Sequence, residues 1–314
     1  MRRTKLKLLK PLSHLDLVSA KLPLGISRGT TNSVVFGIVL GNYRDVDMGV
    51  HLDAPAPPQL LHHGMDAPPL WNVRHKTQLY CDGFAPKNHR ILMQFMLLPT
   101  NGPGTLKNWE PAFRDILAWI DSLRPPKYSG TIDRSLAATG REIFGRNCAS
   151  CHGSYGNRRK YPQRVVAIET IGTDPVRLNA LTADHRRWME TGWLSRYGKD
   201  PVVVNPTGYL APPLDGIWAT APYLHNGSVP PLWHMLHPKE RPVVWKRTSD
   251  SFDHKRVGMV VETFDSVPAS VKTVRTRRRY FDTSKRGKSA AGHLFPDRLT
   301  EPEKHAVLEF LKTL

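Results

Sequence analysis

Cysteine is scarce in this chain: Cys81, Cys148 and Cys151 are the only three in 314 residues, too few for the disulfide framework of a small stapled domain. No apolar run approaches the ~18 residues that a membrane-crossing helix requires, so no transmembrane segment is expected. The opening stretch "MRRTKLKLLKPLSHLDLVSAKLPLG" has a basic start but no apolar core and no cleavage site, and it makes a poor secretory leader. Acidic residues are also in short supply. The 27 Asp and Glu set against 45 Lys and Arg leave a formal charge of +18, which favours an acidic partner, an anionic membrane surface or nucleic acid. With 40% hydrophobic residues and eight tryptophans the chain is not disordered throughout, and its length suits two domains or one large one.

What the chain does have is "GREIFGRNCASCHGSYG" at positions 140 to 156. Two of its few cysteines fall in a C-x-x-C-H pattern, the attachment signature of c-type haem. Cys148 and Cys151 would bind the porphyrin covalently, and His152 would be the proximal iron ligand. Structural zinc needs about four ligands, usually from a second short-spaced pair, and none follows, because Cys81 is isolated. A thioredoxin-like redox pair belongs at the end of a strand, whereas the residues before Cys148 read as a helix. A disulfide between Cys148 and Cys151 would close a tight loop with nothing wider to hold. The expectation is one covalent haem c, and hence a periplasmic or secreted protein; this conflicts with the missing leader unless the chain begins inside a longer precursor.

Two segments repeat each other without gaps. "APPLWNVRHKTQLYCDGFAP" begins at Ala67 and "APPLDGIWATAPYLHNGSVP" at Ala211; they share A-P-P-L, then Asp82-Gly83 or Asn226-Gly227, then Pro, with Cys81 opposite His225. An amphipathic helix is expected after each copy. In the first, Phe113, Ile116, Leu117 and Ile120 form the buried stripe, with Asn108 as N-cap and Pro125-Pro126 as stop. In the second, Val307, Phe310, Leu311 and Leu314 form the stripe, and Thr300 with Glu303 makes a capping box. A further helix, capped by Asp133 and running to about Arg146, lays Leu136, Gly140, Ile143 and Phe144 along one side and delivers Cys148 to the haem. The expected fold is mainly α: residues 126–314 form a cytochrome c-like haem domain with long loops, preceded by a partial sister domain over 1–125 that lacks its own C-x-x-C-H.

The stretches "FGRNCASCHGSYG", "YLAPPLDGIWATAPYLHNGSVPPLWHML", "SAAGHLFPDRLTEPEKHAVLEFLKTL" and "CDGFAPKNHRILMQFML" together resemble the cytochrome c-like proteins related to rubber oxygenase, and more distantly the bacterial di-haem cytochrome c peroxidases. The resemblance implies two c-type haems in two domains, one performing chemistry with dioxygen or peroxide and the other transferring electrons. This sequence holds only the second, C-terminal attachment motif. One-electron transfer through a single haem c is therefore the expected function, with an acidic redox partner and no nucleic acid. The alternative is the C-terminal part of a di-haem oxygenase or peroxidase acting on dioxygen and a polyisoprene-like substrate, or on peroxide. No catalytic residue is assigned.

The resemblance implies that His293, in "AGHLF", is the distal iron ligand, with Ala290, Ala291 and Gly292 letting backbone approach the ring. His225, on the Asn226-Gly227 turn, is the alternative, and Met235 a third, since a Met beside Leu232 and Leu236 is ordinary core material. Trp218, Tyr223 and Trp233 are expected to line the pocket, and Arg177 and Arg164 to pair with haem propionates. Trp71, Asp82, Asn88 and His89 read as turn residues without chemistry. The adjacent His62-His63 pair points apart on either a helix or a strand, so it is not read as a metal site. The run "KTVRTRRRYFDTSKRGK" over 272 to 288 reads as a solvated basic loop.

Overall fold

A computed structural model of the chain describes residues 33–56, 65–157 and 159–314. The leader reading of the first residues and the His62-His63 pair lie outside these. Helix outweighs strand, and the longer helices are α1 (Ser33–Gly41), α2 (Pro103–Ser122), α3 (Arg134–Asn147), α4 (Ala183–Thr191) and α5 (Glu301–Lys312). Among the described residues no helix is long and apolar enough to cross a membrane.

The helix ends follow elementary chemistry, with one correction. Asp133 caps α3, its carboxylate accepting from the Leu136 amide at 2.9 Å. Thr300 and Glu303 form the expected reciprocal box at the start of α5. Asn108, by contrast, lies inside α2, which starts at Pro103 behind Gly102. A proline at the first helical position has its φ already set and loses no hydrogen bond there, so it outcompetes the later asparagine.

Two hydrophobic cores form among the described residues. The second is made by α3 crossing α5, with Ile143, Phe144, Val307, Phe310 and Leu311 buried beside Tyr223, Val229 and Leu232. Gly140 marks the crossing, because a Cβ there would stand 1.9 Å from the Ala306 carbonyl oxygen. The first core gathers Ile38, Phe84, Ile91, Met93 and Leu106, and it is completed by Leu181, Met189, Trp193 and Leu194 on and around α4. These last residues come from beyond position 125, so the first core is not built from the first 125 residues alone. The α2 stripe is only partly covered: Ile120 is buried and Phe113 and Leu117 are half-buried, but Ile116 is 42% exposed. The expectation that this whole face is buried is therefore wrong.

The two repeats take the same backbone path. β1 (Gln78–Leu79) pairs with β2 (Ala85–Pro86) in the first, and a Tyr223–Val229 bridge stands at the corresponding place in the second. Tyr80 and Gly83 have φ of 69° and 65°, and their counterparts Leu224 and Gly227 have 63° and 67°. The copies also bind each other reciprocally. The Asp66 amide donates to the His225 carbonyl at 2.9 Å, and the Leu210 amide donates to the Cys81 carbonyl at 2.7 Å. Trp71 Nε1 donates to the Asp215 carbonyl at 2.7 Å across the same junction. β3 (Val165–Ala167) and β4 (Gly208–Leu210) form a small antiparallel pair alongside.

A three-stranded antiparallel sheet, in the order β6-β5-β7, was not foreseen from the sequence. β5 (Val244–Asp253) and β6 (Gly258–Phe264) make a hairpin, and β7 (Tyr280–Asp282) adds to the free edge of β5. It lies between the second repeat and α5, where the first copy has only a short connection before α2.

Candidate haem site

The C-x-x-C-H motif starts where α3 ends. Cys148 closes α3 and begins a single further turn, Ala149–His152, in which the Cys151 and His152 amides both donate to the Cys148 carbonyl, at 3.2 and 3.0 Å. One helical turn thus carries both thiols and the imidazole. Gly153 leaves the turn at φ 86°, packed against the Lys160 carbonyl. Both cysteines are free and partly buried. Burial first, then the neighbouring Cys151, pushes the Cys148 thiol up to about 11, so it stays a neutral thiol at ordinary pH.

His152 Nδ1 bonds the Pro212 carbonyl at 2.9 Å. That bond places the proton on Nδ1 and leaves Nε2 as the lone-pair nitrogen, the arrangement that orients a metal-binding imidazole. Pro212 is part of the second A-P-P-L, so the repeat positions the motif histidine. Burial lowers the His152 pKa, favouring the neutral form that binds metal.

His293 stands opposite. Its ring centroid is 6.1 Å from that of His152, with the planes inclined by 60°. Two metal–imidazole bonds of about 2 Å plus the inner half of each ring come to roughly 6 Å, so the centroid separation is that of two imidazoles sharing one metal ion. Burial, then the charges of His152 and Arg241, push His293 down to about 3, again a neutral imidazole. His293 sits at φ 50°, in the left-handed region where a non-glycine residue is strained. Its amide donates to the Ile171 carbonyl at 2.7 Å. The preceding Gly292, at φ 78°, packs so closely on Gly172 and Thr173 that a Cβ would come within 2.3 Å of their backbone. Arg241 Nη1 clamps the loop through the Ala290 and Gly292 carbonyls at 2.6 and 2.7 Å. His293 Nδ1 is buried without a hydrogen-bond partner.

The other candidates divide between the surroundings of Cys148 and other parts of the chain. The His225 ring stacks on Tyr209 with centroids 4.2 Å apart, and burial with the Arg177 charge pushes it down to about 3. Met235 packs against the second core together with Trp218, Trp233, Cys148 and Ala290, and Tyr223 is buried inside that core. Arg164 is exposed. Arg177 is buried beside Met65 Sδ and Asp82, and Arg186 approaches the same Asp82 oxygen at 3.0 Å. Asp82, read as a plain turn residue, is thus the carboxylate holding two buried guanidinium groups. Asn88 caps the turn His89–Leu92, and His89 bonds Glu110 at 2.9 Å.

Residues 208–246 match the RoxA-like, cytochrome c-like domain family. This span opens with β4, includes the second repeat and Met235, and ends in β5. The chain is 26% identical over 253 residues to the uncharacterized protein y4iM of Sinorhizobium fredii (strain NBRC 101917 / NGR234), an alignment covering 73% of this chain and 56% of that one. It is 30% identical over 258 residues to the uncharacterized protein y4iJ of the same organism, covering 61% of this chain and 41% of that one. The chain spans about half the length of the curated relatives it matches.

Proposed function

We propose that this cytochrome c-like protein, related to rubber oxygenase, transfers single electrons through one haem c bound covalently at Cys148 and Cys151. Residues 126–314 are proposed as the haem domain and 1–125 as its partial sister, completed by the α4 segment from the second half. The haem supplies an iron that gains and loses one electron. His152 would hold it on one side, fixed by Pro212, and His293 on the other, fixed by Arg241 and Ile171. With His152 and His293 both engaged, the haem would offer no open position to dioxygen or peroxide. Tyr223, Leu232 and the partly buried Trp218 and Trp233 would exclude water and limit reorganisation when the charge changes. Location outside the cytoplasm and an acidic partner follow from the attachment chemistry and the charge of +18.

The observation that carries this reading is the pair of partly buried imidazoles with ring centroids 6.1 Å apart, one of them on a strained backbone. The test is the absorption spectrum of the protein exported in a host with cytochrome c maturation machinery. The wild type should show low-spin bands that become high-spin in His293→Ala. A wild type that is already high-spin and binds cyanide readily would refute a closed iron.

A second reading has its own support. A chain that spans about half the length of the relatives it matches, with a first repeat that lacks an attachment motif, suits the electron-entry part of a di-haem oxygenase or peroxidase. Activity towards dioxygen or peroxide would then belong to a larger protein.

A further inference from the structure

The sheet β5–β7 and the loop that follows it have no counterpart in the first repeat. After Pro86 the first copy needs only short turns to reach α2 at Pro103, whereas after Pro230 the second copy builds a whole sheet before α5 begins at Glu301. An addition to one copy of a duplicated scaffold serves something the scaffold does not require. Its composition is one-sided. Between 272 and 288 the sole acidic residue is Asp282, and that one is buried and taken up by Arg277 at 2.7 Å and by Ser284. Lys272, Arg275, Arg279, Lys285 and Arg286 are all exposed, and Val274 between them is 60% exposed. The result is a cationic surface with an apolar spot at its centre.

This surface is rigidly mounted. Trp245 of β5 stacks on Phe281 of β7 at 5.0 Å and 6° and donates to the Ser228 carbonyl of the second repeat at 2.9 Å. The Leu232 and Trp233 amides donate to the Val257 and Arg256 carbonyls of the hairpin turn. The chain leaving Arg286 is pinned at once: Asn226 Nδ2 donates to the Gly287 and Ser289 carbonyls, and the Ser289 amide donates to Asp174 at 3.0 Å. Ala290 and Gly292 are then held by Arg241, and the next residue is His293. A group bound at Arg286 is therefore joined to His293 by a short, fully tied stretch of backbone.

We propose that this basic segment, residues 272–288 around β7, is the docking surface for an acidic one-electron partner protein, and that the 286–293 strap places the partner against the His293 side of the haem. Charge selects the class. The patch attracts an anionic surface at long range, while the partly exposed Tyr280 between its cations is already engaged by Lys246 Nζ at 5.5 Å and by Phe264, so it is a poor platform for stacking nucleic-acid bases. The inference rests on the electron-transfer reading, which the spectra above test separately.

The experiment uses the exported, haem-loaded full chain and reduced flavodoxin, an acidic one-electron donor protein, in stopped flow at several salt concentrations. The variants are Lys272→Glu/Arg275→Glu/Arg279→Glu and Lys285→Glu/Arg286→Glu. The control reverses as many charges on and beside α2, through Lys107→Glu/Arg114→Glu/Arg124→Glu. We expect the two patch variants to lower the second-order rate at low salt by about tenfold or more and to flatten its salt dependence, with unchanged haem spectra and with the control close to wild type. Equal rates in patch and control variants would overturn the proposal. It would also be overturned if the patch variants lose binding to phosphatidylglycerol vesicles or to duplex DNA while their flavodoxin kinetics match wild type. A wild type with low-spin bands that dithionite reduces but flavodoxin does not would overturn the docking proposal and leave the haem assignment standing.

Discussion

At the scale of single residues, the buried charges are the most consequential. Asp82 is 1% exposed and faces Arg177 and Arg186, both 2% exposed at their side chains or less than that overall. An unpaired ion in such surroundings costs far more than a surface pair contributes. Asp82→Asn leaves two guanidinium groups sharing a neutral amide, and it should lower stability by about 3 to 5 kcal/mol, read from urea unfolding. A loss below about 1 kcal/mol would show that water reaches the cluster. His293 is a different case: its backbone is strained, its Nδ1 has no partner among the described residues, and its ring packs edge-on against Phe295 at 5.4 Å, so an alanine loses a ring contact and a ligand rather than a buried ion pair. Its replacement should change spin state without a comparable loss of stability.

At the scale of elements, the α3–α5 crossing depends on the missing side chain of Gly140. Gly140→Ala would add helix propensity to α3, yet its methyl group would strike the Ala306 carbonyl 1.9 Å away. Overpacking should prevail, with a net cost of about 1 to 3 kcal/mol in denaturant unfolding. An increase in stability would mean that the two helices separate freely. α2 is different, because Ile116 of its apolar stripe and Trp119 beside the stripe both meet solvent. Trp119→Gln should therefore stay within about 0.5 kcal/mol of wild type in the same assay. A larger loss would place a covering group over that face.

At the scale of the whole molecule, pH couples to the junction between the repeats. Asp66, whose amide is one half of the reciprocal exchange, has its carboxyl pushed up to about 7 by burial, against the opposing hydrogen bond from the Ala67 amide. In the unfolded chain the same group loses its proton near about 4. Between these values the folded state holds the extra proton, so this group's contribution to stability is complete below about 4 and is lost as pH rises through about 7. Wild type compared with Asp66→Asn in urea melts should show this: the wild type loses stability relative to the variant from pH 4 to 7, and the difference levels off above. A difference that does not change with pH would mean that the carboxyl is solvated.

The sequence by itself determined what is local and periodic. The C-x-x-C-H on one helical turn, the Asp133 cap, the Thr300–Glu303 box and the gapless register of the two repeats all depend on residues a few positions apart, whose geometry the chain carries with it. The repeat was legible because Gly83 and Gly227 mark the same left-handed turn. The sheet left a weaker trace, the valine pairs Val243-Val244 and Val260-Val261 either side of the 254–257 turn. Its burial pattern is uneven because β5 bulges between Arg247 and Phe252. Only the tertiary structure decided the rest. The pairing of Asp82 with arginines about a hundred positions away, the passage of α4 into the first core, the exposure of Trp119 and the meeting of His152 with His293 join residues distant in sequence. Such contacts are fixed by which surfaces exclude water together, and no local pattern records that.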